Sequence, residues 1–142
     1  MRARHLLLTA LCCSALVGTG ALARGTIAIA LPRDIGADGL AIGLSWNYQS
    51  TAEADAEALL KCRTFMQVSE AVRSLCAVMG RFDNQCVSVA MDPQPGTYGF
   101  GWAVAATQQE ADRISMQNCR RTSSPDRASF CAVSDRQCDE VG

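Results

Sequence analysis

The stretch "CAVMGRFDNQC", residues 76–86, returns in altered form as "CAVSDRQC", residues 131–138. A chain that writes Cys-Ala-Val, a polar run and another Cys twice invites a search for a longer repeat. Working backwards, "TIAIA" (26–30), "IGLSW" (42–46) and "STAEADAEALLKC" (50–62) precede the first copy. In the same order, "CVSVA" (86–90), "YGFGW" (98–102) and "TQQEADRISMQNC" (107–119) precede the second. Ser50 and Thr107, Glu53 and Glu110, Ala54 and Ala111, Asp55 and Asp112, and Cys62 and Cys119 all stand at a constant offset of 57. Two copies are too few for a solenoid, so the pattern predicts one pseudo-symmetric domain with halves of about 25–85 and 86–142.

Each half reads as strand, strand, helix, strand. "TIAIA" and "CVSVA" alternate β-branched and small residues, as strands do. "LPRDIGADG" and "MDPQPGT" carry turn-forming Pro, Asp and Gly and connect hairpins to second strands, "LAIGLSWNY" and "YGFGWAVAA". Ser50 with Glu53 and Thr107 with Glu110 fit capping boxes that start helices. Along those helices Ala54, Ala58 and Cys62, and Ala111, Ser115 and Cys119, form a narrow small-residue stripe suited to close approach to a sheet, with Leu59, Leu60 and Met116 on its flanks. "SEAVRSLC" adds a helical turn in the first half. The expected fold is α+β: a small, disulfide-stapled domain of two strand-strand-helix-strand units about a pseudo-twofold axis, with one sheet or paired sheets inside and helices outside.

The first residues, "MRARHLLLTALCCSALVGTGALA", place two arginines before an apolar run that closes on Ala21-Leu22-Ala23, the layout of a secretory signal peptide over 1–23. The run from Leu6 to Val17 is too short for a membrane span. Export to the periplasm or beyond is the expectation, without stable membrane insertion once the leader is removed. The mature chain then has 119 residues, no histidine, six of the eight cysteines, and 11 basic against 14 acidic side chains. One domain with one core follows from that length. Mild acidity with scattered arginines gives no footprint for nucleic acid.

Six cysteines in an oxidising compartment imply three disulfides. The symmetry pairs Cys62 with Cys76 and Cys119 with Cys131, each tying a helix end to the next strand, and leaves Cys86 and Cys138 to join the two halves.

The order of "GTIAIA", "LSWNYQSTAEADAEALLKC", "RFDNQC" (Arg81–Cys86) and the second helix to Cys119 resembles a secreted bacterial family called domain of unknown function 4189. The resemblance covers nearly all of the mature chain. It implies export, disulfides and a compact α+β domain, and it carries no catalytic residue to any position here. The hairpin "PRDIGADG" and the segment from Thr64 to Leu75 are longer than the typical pattern.

Absence of histidine excludes Ser-His-Asp and Cys-His catalysis and mixed His/Cys zinc sites from the mature chain. Cys-only metal ligation conflicts with export and with the lack of a C-x₂-C pair, so neither metal nor cofactor is expected. Asp34, Asp38 and Asp83 stand in turns, where aspartate bonds its own backbone. Glu53, Asp55, Glu110 and Asp112 suit early helical turns on dipole grounds alone. Lys61, the only lysine, reads as a solvated helix-end residue. Trp46, Tyr48, Tyr98, Phe100 and Trp102 are the candidate interface residues: the tryptophans belong to the core by preference, and the two tyrosines lie beside loops. Were both second strands central, Trp46, Tyr48, Phe100 and Trp102 would share a face. The expected function is a non-enzymatic protein-binding module of the envelope or extracellular space: inhibitor, immunity-type protein or secreted effector. The alternatives are a carboxylate-dependent hydrolase of cell-wall glycan and a structural envelope protein without a specific ligand.

Overall fold

The computed structural model describes residues 24–139, so the signal peptide reading lies outside the described residues. The chain folds as α+β with two three-stranded antiparallel sheets and helices on their outer faces. The first sheet takes β1 (Arg24–Ala30), β2 (Ala41–Tyr48) and β3 (Ala77–Phe82) in the order β2-β1-β3. The second takes β4 (Cys86–Met91), β5 (Phe100–Ala105) and β6 (Ala132–Cys138) in the order β5-β4-β6. The paired-sheet arrangement is therefore the one adopted. In each sheet the first strand of the half is central, so the second strands are edges and not the central strands that a shared aromatic face would need.

Alternation along the two central strands decides the layering. Ile27 and Ile29 of β1 and Val87 and Val89 of β4 turn inward and meet between the sheets, with Leu44, Phe82 and Phe100 completing that core. The residues between them, Thr26, Ala28, Ala30, Ser88 and Ala90, face outward and are also fully buried, because a helix covers each outer face. Small side chains there let the helices come close. α2 (Thr51–Arg63) buries Ala54, Ala58 and Cys62 against β1 and β2, and α4 (Gln108–Thr122) buries Ala111, Ser115 and Cys119 against β4 and β5. Leu60 departs from its expected role: it is 57% exposed, since it lies off the narrow stripe, whereas Leu59 and Met116 do pack on the core. The hairpin segment after β1 winds into a short helix, α1 (Ile35–Asp38), capped by Asp34, and "SEAVRSLC" contains the short helix α3 (Glu70–Arg73).

Ser50 and Thr107 cap α2 and α4 by accepting the N–H of Glu53 and Glu110. The return half of each capping box is absent: Glu53 accepts from the Ser50 hydroxyl, and Glu110 turns to Arg113. Asp55 and Asp112 do more than sit near a helix dipole. Asp55 accepts from Thr26 and from Arg81 of β3, and Asp112 accepts from Arg136 of β6, so each carboxylate ties its helix to the third strand of its own sheet. Arg81 holds the Asp55 carboxyl below the usual carboxylate range. Burial would raise Asp112, but bonds from Ser88, Gln108 and Arg136 outweigh it and the net direction is down.

The disulfides are Cys62–Cys76, Cys119–Cys131 and Cys86–Cys138, the expected pairing. The third does not join the halves. Cys86 opens β4 and Cys138 closes β6, and they are direct cross-strand partners within the second sheet. No helix among the described residues is long and apolar enough to cross a membrane.

Candidate functional site

The edge strands β2 and β5 differ in how their outward backbone groups are met. In an antiparallel pair a residue's N–H and C=O point the same way, and alternate residues point away from the partner strand. Phe100 and Trp102 of β5 point outward. Thr122 Oγ1 accepts from the Phe100 N–H (2.9 Å) and shares its one hydroxyl proton between the Phe100 carbonyl (2.8 Å) and the Cys119 carbonyl (2.9 Å), and Asn118 donates to the Trp102 carbonyl (3.0 Å). The side chains of α4 thus close this edge at Phe100 and meet the carbonyl at Trp102.

Gly43 of β2 and Gly101 of β5 give the correspondence between the sheets. A Cβ on Gly43 would collide with the Ala58 carbonyl oxygen and the Cys62 amide of α2, and one on Gly101 with the Ser115 carbonyl oxygen and the Cys119 amide of α4. Ile42 and Leu44 therefore correspond to Phe100 and Trp102. It follows that Trp46 and Trp102 are not equivalent, and that "IGLSW" matches "YGFGW" only after a two-residue shift. Lys61 takes the place of Asn118: its Nζ donates to the Leu44 carbonyl (2.9 Å), lies 4.9 Å from the Trp46 ring centroid and pairs with Glu57 at 3.6 Å. It is not simply a solvated helix-end lysine. Phe65, which the offset of 57 aligns with Thr122, lies just past the end of α2 beside the cleft and has no hydroxyl. No side chain among the described residues bonds to the Ile42 N–H or carbonyl.

A cleft of about 680 Å³ runs along this open edge. Its floor is Leu40, Ile42, Leu44 and Trp46, its walls are Phe65 and Val68 on one side and the β4–β5 loop on the other, and Asp135 and Gln137 of β6 lie across from β2. The opposite seam of the molecule shows why the cleft exists. There the Trp102 ring packs on Gly80 of β3, so closely that a Cβ on Gly80 would meet it at 2.9 Å. On the cleft side the corresponding pair is Leu44 and Asp135, which leaves the space unfilled.

The β4–β5 loop is fixed by Asp92, which is buried and takes two short bonds from Arg127 (2.7 and 2.6 Å) and one from the Gln94 N–H (3.0 Å). Those bonds, Arg127 first, hold the Asp92 carboxyl below its ordinary range. Arg127 in turn lies 4.1 Å from the Phe130 ring centroid. Asp92 is thus a structural anion at the cleft wall, with both oxygens engaged. Asp135, by contrast, is exposed and has no ion-pair partner among the described residues.

The five aromatic candidates do not form one surface. Phe100 is buried between the sheets, and Trp46 and Trp102 are half-buried against the same core at opposite seams. Tyr48 is half-buried at the far end of β2, opposite Arg24. Tyr98 is 51% exposed and leans on α1, where a hydrogen bond with Asp34 raises its phenol above the ordinary range. Only Trp46 lines the cleft. The residues that define the site, Ile42, Phe65 and Asp135, carry no signal of their own in the sequence. The offset of 57 that relates Cys62 to Cys119 also relates Phe65 to Thr122 and Lys61 to Asn118, and that substitution was the available clue.

Residues 25–138 match the family model described as a domain of unknown function, DUF4189. The chain belongs to the DUF4189 family. No curated protein and no solved structure matches it. The DUF4189 cleft must therefore be interpreted from its own chemistry. It is largely apolar, with a cation at the strand edge, one carboxylate locked by arginine and one left open, and among the described residues there is no group of acids, cysteines or histidines arranged to hold a metal ion.

Proposed function

We propose that this DUF4189 protein is exported and serves as a non-enzymatic module that binds another protein in the bacterial envelope or outside the cell. The carrying observation is the cleft beside β2: concave, mainly apolar, and floored by a strand edge at which the Ile42 N–H and carbonyl and the Leu44 N–H have no partner among the described residues. Pockets of this volume with few polar groups suit ligand recognition, and an open edge suits a polypeptide. The carboxylates of the cleft favour binding over glycan hydrolysis, since the acid whose pKa is raised, Asp139, does not line it. Hydrolysis needs one acid held protonated, and Asp92 is held ionised with both oxygens occupied by Arg127. Three disulfides and the leader-like first residues support export, since such bonds persist in oxidising compartments.

The test has two parts. Peptide mapping of the protein recovered from its producing cells should find Arg24 as the first residue and should find it outside the cytoplasm; an intact leader in a cytoplasmic fraction would refute export. Affinity capture from the envelope and medium fractions should yield a partner that the doubly substituted Gln67→Arg/Gln94→Arg protein, altered on both cleft walls, fails to retain. Equal retention by that variant would move the binding site elsewhere, and no partner above background would sink the binding reading.

A further inference from the structure

Resting on the protein-binding reading, we infer that the cleft takes an extended polypeptide as a fourth strand on the β2 edge, with alternate apolar side chains turned into the cleft and a lysine or arginine set against Asp135. Three observations converge on this occupant. First, Ile42 presents an N–H and a C=O, and Leu44 an N–H, that point away from β1 with no partner among the described residues. Only another extended backbone offers donors and acceptors alternating at that spacing. Secondly, Thr122 meets both the N–H and the carbonyl of Phe100 on the corresponding edge, while the Trp102 carbonyl is met by Asn118 as the Leu44 carbonyl is by Lys61, so the openness particular to this half is that of Ile42.

Thirdly, the surroundings specify side chains. A strand laid beside Ile42, Leu44 and Trp46 has the same pleat, so every second residue points between the sheets toward Met91. Those positions call for apolar groups. Asp135 faces the same space without an ion-pair partner, whereas Lys61 is already engaged by Leu44, Trp46 and Glu57 and Asp92 by Arg127. The unmet charge in the cleft is negative, and so is the balance of the mature chain. A cationic residue on the ligand complements both.

The experiment uses the full exported protein and a displayed library of nine-residue segments, apolar at alternate positions, with one arginine walked through the rest. The best sequence is then synthesised. Methylating its backbone nitrogens one at a time should weaken binding about tenfold or more at every second residue and little between, because a strand edge bonds alternate residues. The Ile42 amide should exchange rapidly in the free protein and slowly with peptide bound. Phe65→Thr, which supplies the hydroxyl that closes β5, should weaken binding about tenfold, and Asp135→Asn should abolish the preference for arginine. A peptide that competes with the captured partner but shows a flat methylation scan and no protection of Ile42 would overturn strand addition while leaving the protein-binding reading standing. No enrichment over the Phe65→Thr protein, or occupation of the edge by a second copy of the chain in sedimentation, would overturn it as well.

Discussion

At Gly43 the first carbon of any side chain would enter the backbone of α2, against the Ala58 carbonyl and the Cys62 amide, and neither can move without shifting the helix. Gly43→Ala should therefore cost about 1–3 kcal/mol, the usual range for overpacking, read as a lower urea midpoint at unchanged slope. An unchanged midpoint would show that α2 can retreat freely. Asp139 carries the opposite kind of tension. It is buried, accepts the Asn47 N–H at 2.7 Å, and leaves its second oxygen without a partner. Burial first, then the nearby Asp83 charge, pushes its pKa up. The native state then binds a proton more readily than the unfolded chain, so this group's contribution to stability falls as pH rises from the ordinary carboxyl range through the raised native value. Asp139→Asn keeps an acceptor for Asn47 and removes the desolvated charge; it should gain about 1 kcal/mol near neutral pH and lose that advantage in acid. Midpoints measured across pH for both proteins decide it, and a constant difference would mean that titration of Asp139 plays no part. Neither residue announces itself in the sequence. Gly43 reads as one glycine in a strand, and Asp139 as a polar residue near the end of the chain, because burial and close approach are set by partners far along it.

The elements were more legible, because each has a local cause. Alternation in "TIAIA" and "CVSVA" gives the central strands both their inner aliphatic face and their outer small-residue face. The hydroxyl caps at Ser50 and Thr107 place the helix starts, and the cysteine symmetry gives the pairing. What the symmetry misplaced was the role of Cys86. It follows the first Cys-Ala-Val copy in sequence, but structurally it begins the next sheet, because the turn at Asn84 (φ 51°) separates β3 from β4. The bridges should consequently differ in weight. In the chain-entropy view the cost of removing a bridge grows with the loop it closes. Cys62–Cys76 and Cys119–Cys131 span 14 and 12 residues, and Cys86–Cys138 spans 52. Paired Cys→Ala variants should thus lose about 3 kcal/mol for either short bridge and about 4 kcal/mol for the long one. If the long bridge proves the least costly, the second sheet must hold its register without it.

At the scale of the whole molecule, every disulfide among the described residues lies within one half: Cys62–Cys76 in the first, and Cys86–Cys138 and Cys119–Cys131 in the second. Among the described residues only the peptide chain through Asp83, Asn84 and Gln85 links the two covalently. Everything else between them is non-covalent: the shared core of Ile27, Ile29, Leu44 and Phe82 against Val87, Val89 and Phe100, the Trp102 ring on Gly80, and Asp139 accepting from Asn47. A half on its own would expose one entire apolar sheet face to water and forfeit the burial of the shared core. The two halves are thus interdependent even though each is stapled separately, and cutting the linking turn separates these properties. A protease site placed at Asn84, cleaved in the folded protein, should leave two fragments that elute together in native buffer and part in urea without any reductant, each keeping its own bridges. Fragments that part in native buffer would show that the shared core does not hold the halves together. Fragments that stay joined in urea until reductant is added would show a bridge between the halves and would overturn the pairing.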